Sequence, residues 1–194
     1  MNKLYIILMT FLYSCITLKP HQRSYDALPE TARQQLAQKG SITMDSTQLV
    51  IEELGKSGID QLKSNGKKKV FFILSGWCDS PTFDNLKSFD SLHTLKGFEK
   101  YFVSVGYEQI VMYHAAHSLH SKPQKIYVLS NKDFGTQTWG KPTNFLEYTL
   151  QRKIHKSKEV SSLMWLALDE QGKLLHFSGA DGNFQQLKAA IQPL

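Results

Sequence analysis

The chain has 194 residues, 41% of them hydrophobic and 11% aromatic, enough to bury one ordinary core once any targeting segment is removed. Its formal net charge of +6 permits contact with nucleic acid or an anionic membrane surface, but the charge is scattered. The one dense basic run, Lys67, Lys68 and Lys69, directly precedes an apolar stretch and reads as a solvated loop, and no interleaving of basic and aromatic residues points to nucleic acid as a partner.

Asn2 and Lys3, after Met1, are followed by an apolar run from Leu4 to Leu12 and then Ser14. That run is about half the ~20 residues a membrane-spanning helix needs, whereas a charged start and short apolar centre are what the export machinery reads. Residues 1–15 are therefore expected to be a signal peptide. Leu12-Tyr13-Ser14-Cys15 resembles the bacterial lipobox, which implies cleavage before Cys15 and lipidation of its sulfur; ordinary cleavage near Cys15 is the alternative. A diacylglycerol thioether plus an amide-linked acyl chain supplies more than one hydrophobic anchor, the condition for stable membrane attachment. Cys78 is then the one thiol left, and no internal disulfide can form.

Residues 16–40 read as a tether followed by a short helix from Leu28 to Gln38 that Gly40 ends. Ser41 to Met44 is a short strand. Asp45-Ser46 then offers a cap for a helix carrying Leu49, Val50, Ile51, Leu54, Ile59 and Leu62, which Gly55 and Gly58 weaken. After the Asn65-Gly66 turn, Lys69 to Leu74 is a continuous apolar run without alternation, as expected of a central strand covered on both faces.

Ser75 to Pro81 breaks that strand, and Phe83, Leu86, Phe89 and Leu92 have helical spacing, with Pro81 suited to the first turn. Phe98 to Val105 reads as a second helix or a continuation of the first, and Ile110 to Ala116 fits helix or strand. Ile126 to Leu129 is a buried-looking strand, expected beside a central Val70 to Leu74, and Pro142 to Ile154 a helix. Ser162 to Leu168 and Lys173 to Phe177 form a hairpin around Asp169-Glu170-Gln171-Gly172, before a final helix with Phe184, Leu187, Ala190 and Ile191.

This order combines parallel crossovers with a terminal antiparallel hairpin. With Trp77-Cys78 placed between the central strand and the Pro81 helix, the chain resembles the thioredoxin superfamily, in particular the membrane-tethered thioredoxin-like lipoproteins of the bacterial envelope. The resemblance covers roughly residues 41–194 as one domain. It implies an α/β fold with a central mixed sheet flanked by helices, and an insertion near Gly97 to Pro123, between the second helix and the third strand.

In that family the apolar strand ends in Trp-Cys-x-x-Cys, with the first cysteine at a helix N-terminus, where orphan N–H groups and the helix dipole stabilise a thiolate. Cys78 matches the attacking cysteine and Trp77 its shielding neighbour. Pro81 stands where the resolving cysteine would be, so a mixed disulfide has no internal route to release. Asp79 raises a thiol pKa by like-charge repulsion, Ser80 can hydrogen-bond a thiolate, and either is equally a helix cap. Phe72 replaces the buried acid that the family often carries, and no proline stands near Leu163 or Met164, where the family has its cis-proline. Peroxide reduction fits less well, since Ser75 can serve as that family's hydroxyl but Phe71 replaces its proline.

His114, His117 and His120, with His93 near, are spaced for a helix face, yet no Cys or Glu ligand accompanies them, so neither metal nor cofactor is expected. Trp139-Gly140-Lys141-Pro142 is a candidate groove loop, with Trp139 more readily a packing anchor, and Trp165 is assigned to the core. Two readings remain open: single-cysteine thiol-disulfide chemistry with envelope proteins or peptides, or a noncatalytic thioredoxin-fold module in which Cys78 is packing. Both place the chain at the cell envelope.

Overall fold

The computed structural model describes residues 30–39, 41–44, 49–74, 94–106, 125–137, 140–155, 159–160, 163–179 and 184–191. These form helices α1 (Glu30–Lys39), α2 (Lys56–Ser64), α3 (Asn131–Phe134), α4 (Lys141–Leu150) and α5 (Phe184–Ile191). The strands are β1 (Ser41–Met44), β2 (Leu49–Leu54), β3 (Lys68–Leu74), β4 (Phe98–Ser104), β5 (Lys125–Leu129), β6 (Leu163–Leu168) and β7 (Leu174–Ser178). All seven strands make one sheet in the order β1-β2-β5-β4-β3-β6-β7. Strands β2, β5, β4 and β3 run parallel, while β1, and then β6 against β3 and β7 against β6, pair antiparallel. This is the thioredoxin-like mixed sheet that the sequence leads one to expect.

The continuous apolar run of β3 is buried on both faces, because alternate residues feed two cores. Phe72 stacks on Phe102 and meets Trp165 edge-on, with ring centroids 5.1 and 4.8 Å away, in the core that Leu36 of α1 and Leu187 of α5 close. Phe71 and Ile73 point the other way, towards Ile59 of α2, Phe134 of α3 and Phe145 of α4. Trp165 is fully buried, as its strand position implies.

Three sequence expectations are corrected. Leu49 to Leu54 is a strand rather than the first half of a helix: its backbone pairs with both β1 and β5, and the helix begins only after Gly55. Phe98 to Ser104 is likewise a strand and not a helix within an insertion. It pairs with β3 along its whole length, from Lys68↔Phe98 to Leu74↔Ser104. Because β4 takes that place, Val70 to Leu74 lies beside β4 and β6, and Ile126 to Leu129 is one strand further out. The remainder of the expected insertion, residues 107–123, lies outside the described residues.

The terminal hairpin forms where expected. Asp169 Oδ1 accepts from the backbone N–H groups of Gln171 and Lys173 at 3.0 and 2.7 Å, and Gly172 supplies the positive φ of 76° that closes the turn.

Gly55 is required for a different reason. The α2 N-terminus has no cap of its own; Asp133 Oδ2, from α3, accepts from Lys56 N at 2.8 Å. A Cβ on Gly55 would stand 2.3 Å from that oxygen. We expect Gly55→Ala to lower stability by about 1 kcal/mol, read from urea unfolding, because the carboxylate escapes the new methyl by giving up the Lys56 cap. In an Asp133→Ala background the same change should cost much less, and equal costs in both backgrounds would refute the clash.

Candidate functional site

The parallel strands β2, β5, β4 and β3 end on one edge of the sheet, the carboxyl edge, where open α/β sheets carry their ligands and chemistry. At that edge Ser130 N donates to Leu54 O at 2.9 Å and Val105 N donates to Leu74 O at 3.1 Å, so the strand ends are tied pairwise. Ser104 Oγ donates to Gly106 O at 2.7 Å, turning the chain sharply as β4 ends.

Into this edge projects Lys141, from the first turn of α4, with 1% of its surface exposed. Its ammonium donates to Val105 O at 3.1 Å and to Asn131 Oδ1 at 2.6 Å. Both acceptors are neutral, so they satisfy the donors without cancelling the charge. Burial therefore pulls the Lys141 pKa down to about 8, with Glu53 acting weakly the other way. At neutral pH the group is still mostly protonated, and a buried cation stands where β4 and β5 end.

Cys78, Trp77, Asp79, Ser80 and Pro81 lie outside the described residues, as do Cys15, the histidines His93, His114, His117 and His120, and Trp139. In the sequence Cys78 follows Leu74, the last residue of β3, by four positions.

Lys141 is the feature that sequence reasoning missed, appearing only as part of a loop. Its acceptors are 36 and 10 residues away in the chain, so no local pattern announces its burial. Phe72, by contrast, is where the sequence puts it, walled by Phe102 and Trp165, and β3 offers no proton acceptor at that position. Among the described residues, no group of three or more His, Cys, Asp or Glu is arranged to hold a metal ion, and no helix is long and apolar enough to cross a membrane.

No protein-family model matches the chain, and no curated protein matches it. Solved structures do. The pneumococcal exposed lipoprotein thioredoxin Etrx1 of Streptococcus pneumoniae is 14% identical with a TM-score of 0.43, over 73% of this chain and 96% of that one. StoA of Bacillus subtilis is 16% identical with a TM-score of 0.41, over 66% and 84%. A thioredoxin-family thiol:disulfide interchange protein of Chlorobium tepidum is 9% identical with a TM-score of 0.44, over 69% and 87%. These similarities stand beside the fold assignment, which rests on the strand order and the directions of pairing.

Proposed function

We propose that the chain is a bacterial envelope lipoprotein, anchored through Cys15, whose thioredoxin-like domain carries out thiol-disulfide exchange through the single thiol of Cys78. The observation that carries this reading is the position of β3. It is an interior strand, buried from Lys69 to Leu74 and flanked by parallel β4 and antiparallel β6, and in the sequence Trp77-Cys78 follows its last residue by three and four positions.

The chemistry balances with one cysteine. The Cys78 thiolate attacks one sulfur of a substrate disulfide; that S–S bond breaks, a mixed disulfide forms, and the other sulfur leaves as a thiolate that takes a proton from water. An external thiol then attacks the substrate sulfur of the mixed disulfide and releases Cys78. Substrates are disulfides or thiols of envelope proteins or peptides, and no step calls for a cofactor. Trapping of mixed disulfides by the full chain, and their loss in Cys78→Ser, is the experiment that tests this.

A second reading is favoured by one observation, the apolar packing around Phe72, which leaves β3 without the buried acid of the redox members. In it the domain binds an envelope partner and Cys78 only packs.

The anchor has its own test. Cys15→Ser removes the acylated sulfur, so the variant should keep its leader or leave the detergent phase, with an intact mass lacking acyl chains. Wild-type protein with an unmodified mature mass and unchanged partitioning would reject lipidation.

A further inference from the structure

The edge opposite the carboxyl edge, where β3 and β4 begin, carries an open basin of about 570 Å³. Lys67, Lys68, Lys96 and Lys100 line it, with Phe98 on one wall. Two carboxylates oppose them: Glu99 holds Lys67 at 2.6 Å and Glu170 lies 3.7 Å from Lys68. Glu99 is committed to its own network, since Tyr101 and Asn65 also donate to it, and its pKa is held down to about 2. Lys96 and Lys100 are exposed and meet no carboxylate among the described residues, so their charge faces outward. Of the run that the sequence presents as a solvated loop, Lys67 and Lys68 thus join a second lysine pair, 28 to 33 residues further along, whereas Lys69 is a buried residue of β3.

The chain's path bears on what this face meets. Helix α1 joins β1 through Gly40 alone and lays Ala32 and Leu36 on the same core as Ile51 and Ile126, so it doubles back over the sheet. Because β1 runs antiparallel to β2, this turns Glu30 back towards the edge where β3 and β4 begin. The first described residue of α1 thus stands on the side of the lysines.

We infer that this lysine edge docks on an anionic phospholipid surface. Lys96 and Lys100 supply long-range attraction to headgroup phosphates, and the paired Lys67 and Lys68 lie close enough to exchange carboxylate for phosphate contacts. Docked in this way, the sheet stands with its carboxyl edge about 20 Å from the bilayer, the length of β3, facing soluble partners. That orientation rests on the Cys15 and Cys78 readings; the surface itself does not.

Co-sedimentation of the full chain with vesicles of pure phosphatidylcholine, and with vesicles carrying about one-third phosphatidylglycerol, tests it. Any contribution of the apolar leader is common to both, so the readout is the ratio of the two partition coefficients. Lys96→Gln/Lys100→Gln should reduce that ratio about 25-fold at low salt, at roughly fivefold per lysine. Lys56→Gln/Lys132→Gln, which removes the same charge beside the carboxyl edge, should leave the ratio within about twofold. An equal loss in both variants, or no preference for the anionic vesicles in the wild type, overturns the proposal. Retention of polyglutamate without any vesicle preference likewise overturns it and assigns the edge to an acidic protein. None of these results depends on whether Cys15 is acylated or Cys78 is reactive.

Discussion

Raising the pH from 8 to 10.5 should stabilise the folded chain through Lys141 by up to about 3 kcal/mol, and Lys141→Met should abolish that gain. In the folded protein burial brings the Lys141 pKa to about 8, whereas in the unfolded chain it returns to its ordinary value near 10.5. Below pH 8 both states hold the proton and the cost of burying the ammonium is fully present. Between pH 8 and 10.5 the unfolded chain binds one proton more than the folded one, so stability rises with pH; above that window the contribution is flat. Lys69 is also pushed down by burial and adds a slope of the same sign, while the raised Tyr101 and Tyr127 oppose it at the alkaline end. Those groups are common to wild type and variant, so the difference between their urea-unfolding free energies at pH 7.5, 9 and 10.3 isolates Lys141. Parallel curves would contradict the buried-ammonium account.

Pro81→Cys should convert stable mixed disulfides into rapidly released ones. In the wild type Cys78 has no second thiol three residues on, so the covalent complex waits for an external thiol whose encounter is bimolecular. A cysteine at position 81 makes the resolving attack intramolecular, with an effective concentration in the millimolar range or above, so trapped species should disappear by orders of magnitude. Oxidised Pro81→Cys would then hold an internal disulfide between Cys78 and the new cysteine, seen as the mass loss of two hydrogen atoms. Persistence of the trapped species in Pro81→Cys, with no such disulfide, would show that the loop after β3 does not bring these two positions together. Cys78→Ser should trap nothing and keep the unfolding midpoint of the wild type.

Two elements are legible from their own residues, while the solvated loop expected over Lys67 to Lys69 is not borne out: Lys68 and Lys69 belong to β3 and Lys69 is buried. Val70 to Leu74 declares a doubly covered strand by its unbroken apolar run, and Asp169 and Gly172 declare a hairpin because both act within their own turn. The two misread strands have one cause. Leu49, Val50, Ile51, Leu54, Ile59 and Leu62 fit a helical period only if counted through Gly55, and Phe98, Phe102 and Val105 fit one because they stand four and three residues apart. In both segments pairing with distant strands overrides the local period: β2 with residues 125–129, and β4 with residues 68–74 and 126–128. The candidate site divides along the same line. Trp77-Cys78 is singled out from its sequence neighbours alone and lies outside the described residues, whereas Lys141 acquires its character from Val105 and Asn131, which only the folded sheet brings to it.

The central claim, that Cys78 is a working thiolate at the carboxyl edge of β3, is tested most directly by the pH dependence of its alkylation. A helix N-terminus contributes about 0.3–1 kcal/mol to a nearby anion, and up to ~2 where partly buried, so the proposed site should lower the thiol pKa below its free value of about 8.5. Repulsion by Asp79 and burial by Trp77 act against this. With Cys15 replaced by serine so that one thiol remains, iodoacetamide should modify Cys78 near pH 7 several times faster than an unstructured cysteine peptide. A rate at or below that of the peptide at the same pH would contradict the account and leave Cys78 as a packing residue in a binding module.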